Sequence, residues 1–378
     1  MKIQVSEEIQ ESRAVIKVIG VGGAGGNAIN RMAEAGIQGV ELIAANSDAQ
    51  DLRRSEASVR IQVGENLTKG LGVGGDAAKG RLAALESREQ LREVLTLADM
   101  VFITAGMGGG TGTGGAPVVA GLAREMGALT VGVVTRPFDF EKLNRANIAE
   151  QGIQEMRKNV DTLLVIPNQR LLDIIDTDTT AESAFRLADD VLRKSIQSIS
   201  DVITVSGAIN MDLNDLRAVM KGAGEALIGL GEASGAGRAT KAAKAAIHSP
   251  LLENVVMDGA KGLIVNITGR KATLKLSEID EAMGLIAGAA SQDAKIKMGK
   301  AYDESLGDAI RITVIATGFP PRRSRNLLRA GFRPKLYGVN PQRRDHLLEP
   351  GEPQPSADGL PEDLTKPAFM RLKVRKLR

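Results

Sequence analysis

The 378-residue chain has no cysteine, no tryptophan, two histidines and two tyrosines. Without cysteine there is neither a disulfide nor a thiolate metal site. His248 and His346 stand far apart, which argues against a His-based metal centre or a Ser-His-Asp triad. No apolar run approaches the roughly 20 residues of a membrane-spanning helix. Met1–Glu8 lacks a signal-peptide core, so the chain is expected to be soluble and cytoplasmic. An excess of one charge is also lacking overall, at a net +3. The balance is uneven, however. Gly318–Arg378 carries 14 Lys and Arg against 6 Asp and Glu, a net +8, and the rest is net −5. A basic tail can touch nucleic acid, anionic lipid or an acidic partner, but a solvated tail is the plainer reading of most of it.

What the chain has is glycine, 43 residues of it. The organising stretch is Gly106-Met-Gly-Gly-Gly-Thr-Gly-Thr-Gly114. Before it, Asp99-Met-Val-Phe-Ile-Thr104 reads as a buried strand. After it, a helix is expected from Ala116, with Pro117 in the first turn. Glycines at such a place let backbone N–H groups turn inward on an anion, and a helix N-terminus adds partial positive charge. The two threonines add hydroxyl donors. This is a phosphate cradle but not a P-loop, since no Lys follows the last Gly. A flexible linker would not sit between a buried strand and a helix start.

The same pattern recurs along the chain. Residues 1–12 read as a flexible tail. Val15–Ile19 is a strand running into Gly20-Val-Gly-Gly-Ala-Gly-Gly-Asn27, with a helix from about Ala28. Strands follow at Val40–Ala45 and Arg60–Val63, then a glycine loop at Gly70–Asp76 before a helix at Ala77–Leu85. Leu129–Thr135 and Asp161–Ile166 are further strands. Strands alternating with helices indicate a parallel α/β sheet that binds ligands at the strands' C-terminal edge. Thr179–Ser200 reads as one long helix, with Thr179 and Glu182 as a capping box. Beyond it, 221–247 reads as helix, loop and helix, with strands near Gly262–Thr268 and Ala309–Thr317. A disordered linker is expected over 318–362. The last segment, 363–378, regains Leu364, Phe369, Met370 and Leu372 and reads as a docking peptide.

Gly20-x-Gly22-x-x-Gly25 alone also fits a dinucleotide-binding fingerprint, which keeps a nicotinamide-dependent oxidoreductase open. Several glycine loops at one sheet edge suit a triphosphate better. Gly106–Gly114, with Gly20–Asn27 and Asn210-Met-Asp-Leu-Asn-Asp215, resembles the signature set of the tubulin/FtsZ family, and within it the bacterial cell-division branch. The likeness spans about residues 13–317 and the last sixteen.

The resemblance implies a Rossmann-like GTPase domain at 13–178, a central helix at 179–202 and a smaller α/β domain at 203–317. It implies GTP and GDP as ligands, Mg²⁺ held through the phosphates, and head-to-tail filaments of a cytokinetic ring at mid-cell. Residue by residue, Gly22, Gly23, Ala24, Gly25, Gly26 and Asn27 match the first nucleotide loop. Val73, Gly74 and Gly75 match the loop near the γ-phosphate. Gly106, Gly108, Gly109, Gly110, Thr111, Gly112 and Thr113 match the phosphate-binding signature. Glu141 and Arg145 match ribose and phosphate positions, although an i,i+4 salt bridge explains them equally well. Phe185 and Asp189 match a guanine-binding pair. They share a helix face, and a carboxylate suits the N1–H and N2–H₂ donors of guanine and repels the N1 acceptor of adenine.

Asn210, Asp212 and Asp215 match acids that enter the next subunit's site. They follow a helix of about 22 residues, roughly 33 Å long, so they are remote from their own nucleotide. A plain Asp-capped helix start is compatible with that role. The end peptide Asp363–Arg371 resembles a segment that docks on membrane-tethering and regulatory division proteins. No specific nucleic-acid partner and no membrane span are implied. A non-hydrolysing regulatory GTP-binding relative is the main alternative.

Overall fold

The computed structural model describes residues 14–173, 178–204, 211–252 and 259–319. All belong to one unit, Met1–Pro321. The expected tail at 1–12, the docking peptide and nearly all of the linker lie outside the described residues, as does Asn210.

Six parallel strands form the first part: β1 (Ile16–Val21), β2 (Val40–Asn46), β3 (Val59–Gln62), β4 (Met100–Gly106), β5 (Leu129–Arg136) and β6 (Thr162–Pro167). Their spatial order is β3-β2-β1-β4-β5-β6. The crossovers carry α1 (Gly22–Glu34), α2 (Ala49–Arg53), α3 (Glu65–Thr68), α4 (Ala77–Glu86), α5 (Arg88–Leu95), α6 (Thr111–Glu125) and α7 (Leu143–Asn159). A short α8 (Asn168–Leu171) follows β6. β1 and the first six residues of β4 are buried along their length, as a parallel sheet covered on both faces requires.

The long helix α9 (Ala181–Thr204) leads to α10 (Leu213–Met220), β7 (Gly224–Ser234), α11 (Arg238–Ile247), β8 (Gly262–Gly269), α12 (Leu276–Gly288), β9 (Lys295–Tyr302) and β10 (Ala309–Thr317). β7 pairs parallel with β6 over Thr162↔Gly224 to Leu164↔Ala226 and continues the sheet. β10 is antiparallel to β7 and to β8, and β9 closes the edge beside β8. One core cluster joins β1, α1 and α9 to Ile264 of β8 and Ile315 of β10. The central helix is thus packed into both parts of the sheet.

Four expectations change. α1 starts at Gly22, not near Ala28, so the first glycine loop is the opening of a helix. α6 starts at Thr111, which puts Pro117 inside the helix rather than in its first turn. α9 starts at Ala181 and its cap is Thr180, whose Oγ1 accepts from the Ser183 amide at 3.2 Å; Thr179 and Glu182 do not form a box. Thr180 immediately precedes the first helical residue, which is where a hydroxyl reaches the third amide. Finally, β7 is an eleven-residue strand where a helix was expected.

Candidate nucleotide site

Three loops meet where the parallel strands end. A Cβ on Gly22 would lie 2.8 Å from the Gly112 nitrogen, and one on Gly106 would lie 2.6 Å from the Ala24 Cβ. The starts of α1 and α6 therefore touch, and only glycine allows it. The loop at 70–75 is tied in from the other side. The Ala49 amide donates to the Gly70 carbonyl at 3.1 Å, and the Gly72 amide donates to the Ser47 carbonyl at 3.2 Å. A Cβ on Gly110 would lie 2.4 Å from the Val73 Cγ2. The buried hydroxyls of Ser47 and Thr111 are 2.6 Å apart and lock the end of β2 to the start of α6. The Thr113 hydroxyl accepts from the Gly108 amide at 2.9 Å.

Neither α1 nor α6 has a side-chain cap. The first amides of a helix lack intrahelical acceptors. Two such sets converge here, with the positive ends of two helix dipoles, which suits a polyphosphate. Gly26 and Gly109 sharpen the point. Neither has a positive φ, and a Cβ on either would meet no protein atom within 4 Å. Among the described residues nothing requires glycine at these two positions, and the bare backbone there is open to a ligand. Gly26 lines a cleft with Gly22, Gly23, Asn27, Asn46 and Asp51. Gly74 and Gly75 have left-handed φ values of 59° and 83°, which their turn demands.

Glu141 and Arg145 border the signature loop. A Cβ on Gly108 would lie 2.7 Å from the Arg145 Cγ. The Glu141 carboxylate accepts from the Phe138 amide at 2.8 Å and pairs with Arg145 at 3.0 Å. The i,i+4 salt bridge therefore exists, and Arg145 reaches the loop while Glu141 braces it.

Phe185 does not belong to the buried stripe of α9; it is 42% exposed. Its ring stands edge-on to Phe138 at 5.4 Å and to Phe140 at 6.2 Å, and those two rings stack at 5.1 Å. One turn on, Asp189 is half-buried, and burial pushes its pKa up to about 7 against the opposing pull of Arg31 on α1. A desolvated carboxylate with an aromatic neighbour is a fitting receptor for a planar group with N–H donors. Asn168, just past β6, was not singled out from the sequence. It is buried, and its Oδ1 has no hydrogen-bond partner.

Asp212 and Asp215 lie elsewhere. The Asp212 carboxylate caps α10, accepting from the Asp215 amide at 2.6 Å. α10 sits at the N-terminal ends of the strands. Arg217 donates to the Asp99 carbonyl, just before β4, and Thr162 at the start of β6 donates to the Met220 carbonyl. The C-terminal end of α9 is there too, since a Cβ on Gly39, just before β2, would lie 2.7 Å from Thr204. The seven residues of β4 span roughly 20 Å at 3.3 Å per residue, so the acids and the cradle occupy opposite edges of the sheet.

These features define a class: an α/β protein with glycine loops and uncapped helix N-termini gathered at the C-terminal edge of a parallel sheet, an arrangement suited to a nucleotide. Comparison with known proteins makes it specific. The family model for the tubulin/FtsZ family GTPase domain matches residues 15–176, and that for the FtsZ family C-terminal domain matches residues 224–320. The FtsZ of M. jannaschii, in an empty dimer, is 42% identical with a TM-score of 0.79, covering 82% of this chain and 89% of that one. A point mutant of the same protein gives the same identity and score, covering 82% and 92%. CetZ1 of Haloferax volcanii with GDP bound, at 21% identity and a TM-score of 0.69, covers 81% and 95%. A CetZ2 protofilament with GTPγS, from the same organism, is 20% identical with a TM-score of 0.66, covering 81% and 94%. The CetZ likenesses show the fold alone. The chain belongs to the tubulin/FtsZ family, with guanine-nucleotide binding and GTP hydrolysis as that family's general chemistry. The relatives reported are archaeal, so the bacterial branch read from the sequence is not what they define.

Proposed function

We propose that this chain is a polymerising GTPase whose catalytic centre is completed head to tail, one copy supplying the pocket and the next supplying Asp212 and Asp215. The observation that carries the reading is the separation of cradle and acids by the length of the sheet. One molecule cannot bring its own carboxylates to its own nucleotide. A second copy, stacking its α10 edge on the first copy's glycine edge, can. Self-association is supported by the relatives, since the M. jannaschii structure is a dimer and the CetZ2 structure a protofilament.

In this reading Gly22–Asn27, Val73–Gly75 and Gly106–Thr113 hold the phosphates, Arg145 adds positive charge, and Phe185 and Asp189 select guanine. Asp212 and Asp215, with Asn210, orient and deprotonate the attacking water. Mg²⁺ would be carried on the nucleotide's own oxygens, where it offsets phosphate charge. The reading divides the chain into a nucleotide domain at 13–178, a helix at 179–202 and a second domain at 203–317; two separate family models, over 15–176 and 224–320, support a two-part chain. The biological setting is the cytoplasmic mid-cell ring of bacterial division, with residues 363–378 docking on membrane-tethering and regulatory partners. The sequence pattern of that end peptide supports this part of the proposal.

Light scattering with GTP, GDP and ATP, read beside phosphate release, tests the function. GTP should produce both scattering and phosphate, and ATP neither. Scattering with GTP but no phosphate would favour a non-hydrolysing regulatory protein. Phosphate without assembly would refute the head-to-tail scheme.

A further inference from the structure

The acid-bearing edge holds a cation that the scheme above does not use. Lys297 lies on β9, the last strand of the sheet. Side chains alternate along a strand, so Lys297, Gly299 and Ala301 share one face. That face is covered: Ala301 is buried, and a Cβ on Gly299 would lie 2.6 Å from Val202 of α9. Lys297 therefore lies on the strand face turned toward α9 and α10 rather than on the open face. Its Nζ ends 2.5 Å from Oδ1 of Asp215, with the two side chains 36% and 41% exposed. Asp212 is bonded in turn to the Asp215 amide. The three residues form one connected group from α10 to β9.

Two carboxylates brought against a nucleotide's terminal phosphate repel it. A cation carried by the same subunit offsets that repulsion and holds one carboxylate at a fixed rotamer. We infer that Lys297 is a positioning residue for the acid pair, and that it enters the neighbouring subunit's site together with Asp212 and Asp215. This inference rests on the reading that hydrolysis occurs at the subunit junction. A half-exposed ion pair contributes little to stability, so a stabilising pin is a poor explanation of the contact.

The test uses the full chain and a complementation partner, Gly109→Asp. A Cβ at Gly109 would meet no protein atom within 4 Å, so this variant is expected to keep its fold, checked by its melting temperature, and its α10 edge while a carboxylate enters its own cradle. Lys297→Ala should bind GTP and assemble like the parent protein. Its phosphate release per assembled subunit should fall by about 10- to 100-fold, the scale of a misplaced catalytic group. Lys297→Arg should retain part of the rate. Excess Gly109→Asp subunits, themselves inactive, should restore turnover to Lys297→Ala pockets because they present an intact Lys297. The same mixture with Asp212→Ala tests the parent reading alone. If Asp212→Ala is rescued and Lys297→Ala is not, the Lys297 inference fails and the junction mechanism stands. If neither is rescued, the junction mechanism itself fails. Normal turnover by Lys297→Ala overturns the inference. So does a lowered melting temperature in both Lys297→Ala and Lys297→Met that accounts for the lost rate.

Discussion

The two edges of the sheet are made of opposite materials. At the C-terminal ends of the parallel strands the surface is backbone, with glycines, uncapped helix starts and hydroxyls. At the N-terminal ends it is side chain, with Asp212 and Asp215 at the start of α10 and Lys297 beside them. In the proposed scheme the first edge holds the polyphosphate and the second brings Asp212 and Asp215 to it. The contrast teaches that, in the proposed scheme, binding and chemistry are separable: binding should survive the loss of the acids, and turnover should survive the loss of neither.

Asp212→Ala attacks the second edge and should have the largest effect. Phosphate release should fall by about 10²–10⁴-fold, the range for a lost general base. Equilibrium binding should show GTP affinity unchanged, and sedimentation should show longer-lived polymer. Gly109→Asp attacks the first edge. Placing like charges together costs several kcal/mol, so affinity should drop by roughly 10²–10³-fold while the melting temperature holds. Gly110→Ala is the contrast, because its Cβ would collide with Val73 and approach the Asp76 amide at 3.0 Å. Overpacking of this kind costs about 1–3 kcal/mol of stability, readable in a denaturant melt.

Asp189 and Asp201 refine the comparison, since both lie on α9 and burial pushes both to about 7, Asp303 adding to the effect at Asp201. A carboxyl whose folded pKa exceeds its unfolded value near 3.8 favours the folded state at low pH. That contribution is lost as pH rises from about 4 to 7. Both Asp189→Asn and Asp201→Asn should therefore raise the melting temperature of the nucleotide-free protein more at pH 8 than at pH 5. Only Asp189 faces the proposed guanine. GTP affinity should rise with pH up to about 7, because the base's donors favour the charged carboxylate, and level off above it. Asp189→Asn should flatten that curve, and Asp201→Asn should leave it intact. The smallest effect belongs to Phe185→Ala. Loss of an aromatic contact worth about 0.5–1.5 kcal/mol should weaken GTP binding by roughly 2- to 10-fold and leave turnover per bound nucleotide unchanged.

The first edge was largely legible in the sequence, because each of its parts is local: an apolar run, then glycines, then a helix. Helix starts were misplaced because glycine is a poor helix former, yet Gly22–Gly26 and Thr111–Gly115 are helical in place. β7 was misread for a related reason. Gly229 and Gly231 interrupt its alternation, and they are glycines because the Ala246 and Ala242 carbonyls of α11 would lie 2.1 and 2.0 Å from a Cβ. An alanine-rich helix lying directly on a glycine-bearing strand hides both periodicities. β9, with Lys295, Lys297 and Lys300, offered no apolar run to find. The Lys297–Asp215 pair and the buried Asn168 were out of reach for a different reason. They are products of tertiary placement, 82 residues apart in the first case, and no spacing rule marks them.

The central claim is that a complete catalytic centre exists only where two copies meet. Turnover per molecule, measured across a dilution series that passes from assembled to monomeric protein at saturating GTP, addresses it directly. The account predicts that specific activity collapses toward zero on dilution while bound GTP per molecule stays constant. Monomeric protein that turns over GTP as fast per molecule as the concentrated protein would contradict it.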